Sequence, residues 1–409
     1  MKKLLILTST FPHGTKEPFL ESEIGYYDDF HEVVYFPFFS EGTLRNNIKY
    51  PKHIRWHSLT RYSKKTLLRY SLRLFFSPIF YKELALLICT RRFNFYNVYG
   101  LCQMITESFF YARQILCYLK SRGINSDDDY YLYSYWLSEY ALTAILLSKK
   151  LNCRYVFSRA HGYDVYESRR RYNYIPLRRY ILSQLNATYP VSDSGKKTLR
   201  EYDKHAKIET ARLGTMDYGI QESKDGCYKF TIVSCSWCTP VKRIDRLIQS
   251  LAMISDFDIR WYHIGDGPLL DSLISKAKML LGKNIETHWE GRKSNTEVIN
   301  FYKHTSIDLF INVSSSEGIP VSIMEALSFG IPIIATNVGG TSEIVIDGVN
   351  GVLIPQDFSP QLLAHRVTEW MQRDNNEVLN VRQRARQSWE ENYSANKNYR
   401  KFFNEISTY

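Results

Sequence analysis

Two glutamates, Glu317 and Glu325, stand eight residues apart within the stretch 314–343, and this spacing limits the chemistry they can share. If one helix carries both, eight residues cover roughly 12 Å. The two carboxylates of a glycosidase lie about 5–5.5 Å or about 6.5–9.5 Å apart, so this pair is too widely spaced for glycoside hydrolysis. The spacing instead suits a sugar nucleotide, with Glu317 at the sugar ring, Glu325 accepting two ribose hydroxyls and a helix N-terminus facing the diphosphate. The alternative is that both are solvated helix charges.

The segments around these glutamates predict a strand–loop–helix–strand unit. Apolar runs at 306–313 and 331–336 predict two buried strands, and 322–329 predicts a short helix ended by Gly330. Pro320 suits the first turn of that helix, where its missing N–H is not needed, and Gly339 with Gly340 predicts a turn. Such a unit belongs to a parallel sheet, and a loop that leads from the carboxyl end of a strand into a helix is a natural anion site.

The same stretch resembles the C-terminal signature of family 4 retaining glycosyltransferases. The signature is a glutamate, Gly-x-Pro, a second glutamate followed by alanine, another Gly-x-Pro and a Gly-Gly turn; its residues here are Glu317, Gly318, Pro320, Glu325, Ala326, Gly330, Pro332, Gly339 and Gly340. The resemblance covers nearly the whole chain and is strongest from 231 to 355. It implies an α/β protein with two Rossmann-like domains facing a cleft, the GT-B fold.

The resemblance also implies a donor-binding site in the second half of the chain. In the family, an arginine near a strand end and a lysine five residues later reach the donor diphosphate. Lys242 fits the lysine, but Trp237 stands where the arginine is usual, which removes one cation unless Arg243 compensates. Arg292, which follows a strand predicted at 285–290, is the candidate for contact with the nucleobase. Further donor contacts are expected along the start of the short helix, from Gly318, Ile319, Pro320 and Val321.

The first half of the chain carries a histidine of interest, His161, directly after a strand predicted at 155–158. The segment His161-Gly162-Tyr163-Asp164 resembles the His-Gly-x-Asp segment at the domain cleft of the family. The resemblance implies that His161 touches the donor sugar and that Asp164 orients the loop or meets the acceptor; a purely structural histidine is the alternative. Gly14 lies in the loop after the first predicted strand, 3–8, where the family has a glycine-rich loop, although no Gly-Gly pair is present here.

Length and composition predict a two-domain cytosolic protein. For 409 residues with 44% apolar content we expect domains at 1–220 and 221–385, with a polar linker at 221–227. The family resemblance implies a helix at 386–409 that crosses back to the first domain. The seven cysteines form no regular framework, which favours reduced thiols. Cys235 and Cys238 form a C-x-x-C that we interpret as coincidence, because no second pair or histidine cluster accompanies it. No apolar run approaches the roughly 20 residues that span a bilayer.

The net charge of +11 predicts an anionic partner. Segment 59–94 has a net charge of +7, since it holds a single acidic residue, Glu83, and eight basic ones interleaved with apolar rings: Arg61, Lys64, Lys65, Arg69, Arg73, Lys82, Arg91 and Arg92. Such a surface suits the interface of an anionic membrane. The alternative is that the apolar half packs on the first domain. No nucleic-acid-binding motif is present, so nucleic acid is not an expected partner.

Together with these residues, the family resemblance implies a retaining hexosyl- or N-acetylhexosaminyltransferase. His161 and Glu317 would hold the sugar of a nucleotide sugar, a UDP-sugar by family resemblance, and Lys242 with the helix start would stabilise the leaving diphosphate. No metal or other cofactor is expected. The acceptor would be a hydroxyl of a glycan or lipid-linked acceptor in envelope polysaccharide synthesis, at the inner face of the cell membrane.

Two other functions fit parts of the sequence. Asp127-Asp128-Asp129 satisfies D-x-D, the metal-binding signature of single-domain, metal-dependent glycosyltransferases, although the triplet precedes a strand, predicted at 130–135, rather than following one. Trp237 in place of the arginine supports a catalytically degenerate partner subunit that binds nucleotide sugar.

Overall fold

A computed structural model describes residues 1–14, 16–45, 48–123, 128–170, 172–221 and 229–409. The chain divides into two compact units: the first comprises Met1–Leu213 with Lys397–Tyr409, and the second comprises Gly214–Asn396. The predicted boundaries at 220/221 and 385/386 are therefore close to the observed ones without coinciding with them. Most of the linker predicted at 221–227 lies outside the described residues.

The first unit contains a six-stranded parallel sheet in the order β3-β2-β1-β4-β5-β6. Its strands are β1 Lys2–Thr8, β2 Glu32–Pro37, β3 Ile54–Trp56, β4 Asp129–Ser134, β5 Cys153–Ala160 and β6 Ala187–Pro190. In the central register, Leu5 pairs with Val34 on one side and with Leu132 on the other. The central strands are almost continuously apolar because both faces of such a sheet are buried.

Before residue 214, eight helices accompany the first sheet among the described residues: α1 Phe19–Glu23, α2 Lys64–Ser71, α3 Pro78–Cys89, α4 Phe95–Ser121, α5 Glu139–Ser148, α6 Gly162–Val165, α7 Arg178–Gln184 and α8 Asp193–Tyr202. Short 3₁₀ turns lie at Ile24–Tyr26, Leu72–Phe76 and Glu167–Arg169. The α-helical part of α1 ends at Glu23, where the first of these turns begins. The Asn94 side chain caps α4 by accepting from the N–H of Asn97 at 2.9 Å.

The second unit repeats the parallel α/β architecture with the strand order β12-β11-β10-β7-β8-β9. Its strands are β7 Phe230–Cys235, β8 Ile259–Ile264, β9 Ile285–Gly291, β10 Leu309–Asn312, β11 Ile333–Thr336 and β12 Gly351–Ile354. Its helices are α9 Ile244–Leu251, α10 Leu270–Leu280, α11 Asn295–His304, α12 Val321–Ser328, α13 Thr341–Ile344, α14 Pro360–Met371 and α15 Asn375–Asn392, with a 3₁₀ turn at Pro240–Lys242. The strands predicted at 306–313 and 331–336 are present but shorter.

The last helix, α16 Ala395–Ser407, packs mainly on the first unit. Phe403 meets Tyr27 edge to face at a ring separation of 4.8 Å, and the fully buried Arg159 guanidinium lies 4.3 Å from the centre of the Phe402 ring. Phe402 and Phe403 are themselves buried. The C-terminal helix therefore completes the core of the first unit, although it follows the second unit in sequence.

Each sheet has one point at which the strand order changes direction. It lies between β1 and β4 in the first unit and between β10 and β7 in the second. Ligands of open parallel sheets bind beyond the carboxyl ends of the strands at such a point. In the second unit, the loops that follow β7 and β10 contain Lys242 and Glu317. In the first unit, the corresponding loops begin at Ser9 and Tyr135.

Candidate active site

Glu317 and Glu325 belong to different parts of the same loop–helix unit. Glu317 lies in the loop after β10, whereas Glu325 lies within α12, which begins at Val321. Pro320 occupies the cap position with extended ψ, one residue before the first turn in which the sequence placed it. The helix therefore begins only after Glu317. The separation of roughly 12 Å calculated for two glutamates on one helix does not apply to Glu317 and Glu325.

Lys242 and Glu317 form an ion pair. Lys242 ends the 3₁₀ turn after β7, and its Nζ lies 2.5 Å from Glu317 Oε1, with both side chains largely withdrawn from solvent. Asn312 Nδ2 donates to the same carboxylate oxygen at 3.4 Å. The two loops are also joined through the backbone, because the N–H of Ser315 donates to Val241 O at 2.8 Å. The lysine predicted for the diphosphate and the glutamate predicted for the sugar thus lie side by side.

Arg243 is held by backbone oxygens. It adopts a left-handed backbone with φ of 49° and precedes α9. Its guanidinium donates to Val313 O at 2.7 Å, to Ser314 O at 3.1 Å and to Gln356 O at 2.7 Å. This arginine anchors the loop after β10 to the loop after β12, so its role toward a diphosphate stays a prediction.

Glu325 is a buried carboxyl on α12, with 7% of its surface exposed. Its Oε1 accepts a hydrogen bond of 2.5 Å from Asn295 Nδ2, and Asn295 is the first residue of α11. Burial raises the pKa of the Glu325 carboxyl to about 7 even though the Asn295 bond favours the ionised form. A buried carboxyl with one hydrogen-bonded oxygen retains acceptor capacity for further donors, such as the hydroxyls of a ribose.

The Gly-Gly turn packs directly against the Glu317 loop. A Cβ atom on Gly339, which has φ of 53°, would lie 2.0 Å from Glu317 O. A Cβ atom on Gly340 would lie 2.4 Å from Gly318 O, and the N–H of Gly340 donates to that oxygen at 2.8 Å. Glycine is needed at both positions because any side chain would displace the loop that carries Glu317 and leads through Ile319 to α12.

Two other residues of the predicted donor site lie at the surface of the second unit. Trp237, in the loop after β7, is 50% exposed. Arg292 follows β9 directly and is also exposed. Their side chains are placed where a ligand can reach them, and their contacts with a donor stay predictions.

His161 and Asp164 are coupled in the first unit. Asp164 Oδ1 accepts from the N–H of His161 at 2.5 Å, and its Oδ2 accepts from the N–H of Leu137 at 2.6 Å, so the aspartate joins the loop after β5 to the loop after β4. Burial raises the pKa of Asp164 to about 6, although these two hydrogen bonds act in the opposite direction. Burial together with the charge of Arg159 lowers the pKa of His161 to about 3. His161 is therefore a neutral imidazole at physiological pH.

The imidazole of His161 lies between two aromatic rings, with its centre 4.7 Å from both Tyr135 and Trp136. Its Nε2 is buried and, within the described part of the chain, has no hydrogen-bond partner. A polar nitrogen without a partner in a buried position is available to a ligand hydroxyl. The contact of His161 with a sugar stays a prediction.

Gly14 lies in the loop after β1, and the structure shows why it is glycine. Its φ is 61°, and a Cβ atom there would lie 2.8 Å from Glu41 O. The same loop is held by Glu17, whose carboxylate accepts from the N–H groups of Ser9 at 2.7 Å and of Thr10 and Phe11 at 2.9 Å. The indole of Trp136 donates to Glu17 at 2.6 Å. In this protein Glu17 therefore holds in place the loop in which the family has several glycines.

Asp128 and Asp129 of the D-x-D triplet lie at the amino end of β4, away from the carboxyl ends of the strands. Asp127 lies outside the described residues. Asp128 is paired with Lys3 at 2.8 Å, and Asp129 is paired with Arg154 at 2.6 Å. Across the described part of the chain, no group of three His, Cys, Asp or Glu side chains is placed to hold a metal ion. Cys238 instead contacts His263, with Sγ 3.2 Å from Nε2.

Comparison with known proteins finds a family model that matches a segment in the second half of the chain. Residues 224–388 match the family model described as glycosyl transferases group 1. The matched segment is less than half of the chain. It includes Lys242, Glu317 and Glu325, so the family resemblance inferred from their motif is confirmed.

Curated relatives match parts of the chain. An uncharacterized glycosyltransferase of Methanocaldococcus jannaschii is 36% identical over 157 residues, which cover 38% of this chain and 41% of the relative. The putative colanic acid biosynthesis glycosyltransferase WcaL of Escherichia coli is 24% identical over 57% of this chain and 59% of its own length. The N-acetyl-alpha-D-glucosaminyl L-malate synthase of Bacillus anthracis is 26% identical over 44% of this chain and 45% of its own. The chain thus spans about half the length of these relatives.

Solved structures superpose on the entire chain, so the likeness in fold extends beyond residues 224–388. HepE of Anabaena, in complex with UDP, superposes with a TM-score of 0.69 at 15% identity and with all of both chains covered. The lipopolysaccharide outer core galactosyltransferase WaaB in its apo form gives 0.67 at 16% identity, covering 99% of this chain and 98% of WaaB. The predicted GT-B fold is therefore confirmed.

Two residues of this site were missed by sequence reasoning. Glu17 acts through a left-handed backbone with φ of 59°, which no local pattern predicts for a glutamate. Asn295 opens α11 after the capping residue Ser294, and that cap was recognisable, but its bond to Glu325 joins residues 30 positions apart. Such a long-range side-chain pair has no signature in a single sequence.

Proposed function

We propose that this protein is a retaining glycosyltransferase that moves a sugar from a nucleotide sugar to a hydroxyl of a glycan or lipid-linked acceptor. The observation that carries the proposal is the arrangement around α12 in the group 1 segment. There the Lys242–Glu317 pair stands beside the start of the helix, and Glu325 is buried within it. A cation, a helix N-terminus and an acceptor carboxyl within one loop–helix unit match a diphosphate and a ribose.

Each residue has one task in this reaction. Lys242 and the first N–H groups of α12 hold the diphosphate and stabilise the charge that develops on it as it leaves. Glu317, held by Lys242 and Asn312, presents its carboxylate to hydroxyls of the donor sugar. Glu325 accepts the ribose hydroxyls. His161, neutral and with an unpartnered Nε2, accepts or donates one hydrogen bond to the sugar.

Retention of anomeric configuration is proposed to follow from attack on the same face from which the diphosphate departs. In this mechanism the acceptor oxygen forms the new bond as the anomeric carbon–phosphate oxygen bond breaks, and the acceptor proton passes to the leaving phosphate oxygen. The protein supplies no nucleophile; it positions the two substrates and stabilises the leaving charge. No divalent metal is required, because Lys242 and the start of α12 carry that role.

UDP is the proposed nucleotide and an envelope polysaccharide the proposed product. HepE of Anabaena, which shares the fold, was solved with UDP and with UDP-glucose. WcaL and the putative teichuronic acid biosynthesis glycosyltransferase TuaC of Bacillus subtilis are relatives named for envelope polymers. These names support the proposal by likeness only, and hexosyl and N-acetylhexosaminyl donors both remain within it.

The test is turnover by the purified chain with UDP-glucose, UDP-galactose and UDP-N-acetylglucosamine, followed as UDP release and repeated with EDTA. We expect release with at least one donor, unchanged by EDTA, and an α-linked product from an α-linked donor. Loss of release in EDTA would refute metal independence, and an inverted product would refute retention. A chain that binds UDP but releases none from any sugar nucleotide would be the degenerate partner subunit, for which the exposed Trp237 is the supporting observation.

A peripheral location at the cytoplasmic face of the membrane is also proposed. None of the described helices combines the length and apolarity needed to cross a bilayer. In segment 59–94, Leu74 and Leu87 are buried, as expected for packing on the first unit. Other apolar side chains of α2 and the following 3₁₀ turn remain exposed, up to 87% for Phe76: Leu68, Leu72, Phe75 and Phe76. Lys65, Arg69 and Arg73 are exposed among them, whereas the side chain of Lys64 lies outside the described residues.

This surface predicts salt-sensitive binding to anionic vesicles. Each basic residue near such a membrane contributes at most about 1 kcal/mol, and salt screens it. Vesicles of phosphatidylglycerol and phosphatidylethanolamine should carry the protein upward in a flotation gradient at low salt and release it at high salt. Serine at Lys65, Arg69 and Arg73 should abolish flotation, whereas serine at three exposed basic residues in or just after α8 should not: Lys197, Arg200 and Lys204. Equal flotation of the two triple variants would contradict this assignment.

A further inference from the structure

The first unit contains a groove made of two adjoining cavities beside the carboxyl ends of β1 and β4. The first cavity, about 450 Å³, is lined by Ser9 after β1 and by Tyr135 and Trp136 after β4. The second, about 320 Å³, lies along α4. Four residues line both cavities and make them continuous: Ser138, Glu139, Tyr163 and Arg170. Each volume is in the range of small-ligand sites, and the groove stands where the strand order reverses.

Aromatic rings form much of the groove wall. Tyr135, Trp136, Tyr140 and Tyr163 line the first cavity. In the second, the rings of Tyr96 and Tyr172 stack on each other with centres 4.3 Å apart and an angle of 12° between their planes. Rings with a polar hydroxyl or N–H at one edge suit a ligand that is apolar on its flat faces and polar around its rim.

Three residues that line this groove have a buried polar atom without a hydrogen-bond partner among the described residues: Tyr135, Arg170 and Asn97. The Tyr135 hydroxyl can both donate and accept, so the atoms of the other two residues are the selective ones. Arg170 Nε is buried while its guanidinium lies 3.9 Å from the centre of the Tyr163 ring. Asn97, which is only 4% exposed and lines the second cavity, has an unpartnered Oδ1, although its Nδ2 donates to Arg92 O at 2.8 Å. One atom is a donor and the other an acceptor, and native structures seldom leave such atoms unpaired.

These two atoms discriminate among possible occupants. An acyl chain satisfies neither of them. A phosphate can accept from Arg170 but offers nothing to Asn97 Oδ1, and it would meet Glu139 and Glu107 in the lining. A saccharide satisfies both, because each hydroxyl donates and accepts, and its ring faces pack on the aromatic walls.

We propose that this groove binds the glycan part of the acceptor and that the acceptor carries at least two sugar units. One unit occupies the cavity at Tyr135 and Trp136, and the next ones extend past Tyr163 and Arg170 toward Asn97 and the Tyr96–Tyr172 pair. The identification of the occupant as an acceptor rests on the proposed transferase function. Binding of a glycan to the groove does not, and it can be measured separately.

The test is binding of the labelled full chain to an array of bacterial surface-polysaccharide fragments of one to six sugar units, without any donor. We expect binding only to fragments of two or more units. Arg170→Met and Tyr163→Ala should each weaken it about ten-fold or more, as removal of a charged hydrogen bond or an aromatic contact does. The matched controls are Arg113→Met and Tyr81→Ala, exposed residues outside both cavities, which should bind as wild type.

The outcomes separate this inference from the proposed function. Binding of single sugars as strongly as of longer fragments, equal binding by the groove and control variants, or no binding to any fragment would overturn the inference. UDP binding to the second unit, followed by thermal shift in the same variants, should be unchanged. If fragments bind in the expected manner but UDP does not, the proposed transferase fails while the glycan groove stands.

Discussion

Replacing Glu325 by glutamine should make the protein more stable at alkaline pH and poorer at binding nucleotide. The carboxyl is buried in α12, and its pKa is raised from an ordinary value of 4.5 to about 7. Glutamine has nearly the same shape and carries no charge, and its amide oxygen can still accept from Asn295. The substitution therefore removes the cost of burying a charge with little change in packing.

The sign and size of the effect follow from the shift. Because the folded-state pKa lies above the unfolded value, the folded protein binds more protons between pH 4.5 and 7, and stability falls as pH rises through that window. The full cost above pH 7 is at most about 3 kcal/mol. The stabilisation by glutamine should then be about 2–3 kcal/mol larger at pH 8 than at pH 5, which corresponds to roughly 5–10 °C in the melting of a unit of this size.

The assay compares thermal unfolding of wild type and Glu325→Gln at both pH values, with Glu201→Gln, an exposed residue of α8, as the matched control. The same proteins are titrated with UDP at pH 8, where loss of a charged acceptor for ribose hydroxyls should raise Kd roughly ten- to a hundred-fold. A variant whose stability relative to wild type is the same at pH 5 and pH 8 would refute the assigned titration. Unchanged UDP affinity in a folded variant would refute the ribose contact.

Further substitutions test the other candidate residues. Lys242→Ala should lower kcat/KM roughly ten- to a hundred-fold through loss of a charged hydrogen bond to the diphosphate, and Trp237→Arg in that background should restore activity; wild-type kcat/KM in Lys242→Ala would remove it from the site. Glu317→Gln and His161→Ala should lower kcat while UDP still binds, and an equal loss of UDP affinity in both would contradict their assignment to the sugar. Gly339→Ala should lower kcat/KM by about ten-fold or more because its Cβ would lie 2.0 Å from Glu317 O, whereas Gly348→Ala, also at positive φ but with open space around it, should retain activity.

Much of the fold was predictable because its strands and helices repeat one pattern. Buried apolar runs alternate with helices, and a glycine, proline or cap residue marks many of the boundaries. The strand predicted at 285–290 is observed as Ile285–Gly291, and the helix predicted at 322–329 is observed as Val321–Ser328. Errors fell at ends such as Val313, a buried apolar residue just beyond the hydrogen-bonded strand Leu309–Asn312. Hydrophobic pattern reports burial, whereas a strand ends where its ladder of hydrogen bonds ends.

The candidate site was predictable where its functional residues lie close together in the sequence. Glu317, Glu325 and the Gly-Gly turn fall within one stretch, and the close approach of Gly339 to Glu317 explains why glycine stands there. The Lys242–Glu317 pair and the Asn295–Glu325 bond were not foreseen, since each joins residues brought together only by the sheet. The position of Arg243 next to Lys242 suggested that it binds the diphosphate, yet its guanidinium donates to three backbone oxygens.

The most direct test of the account is a crystal structure of the protein with UDP. We predict the ribose hydroxyls within hydrogen-bond distance of Glu325, about 2.6–3.2 Å, and the diphosphate at Lys242 and the first N–H groups of α12. Lys242 should then bridge Glu317 and a phosphate oxygen. UDP bound elsewhere, or bound there with neither Lys242 nor the start of α12 on its diphosphate, would contradict the account.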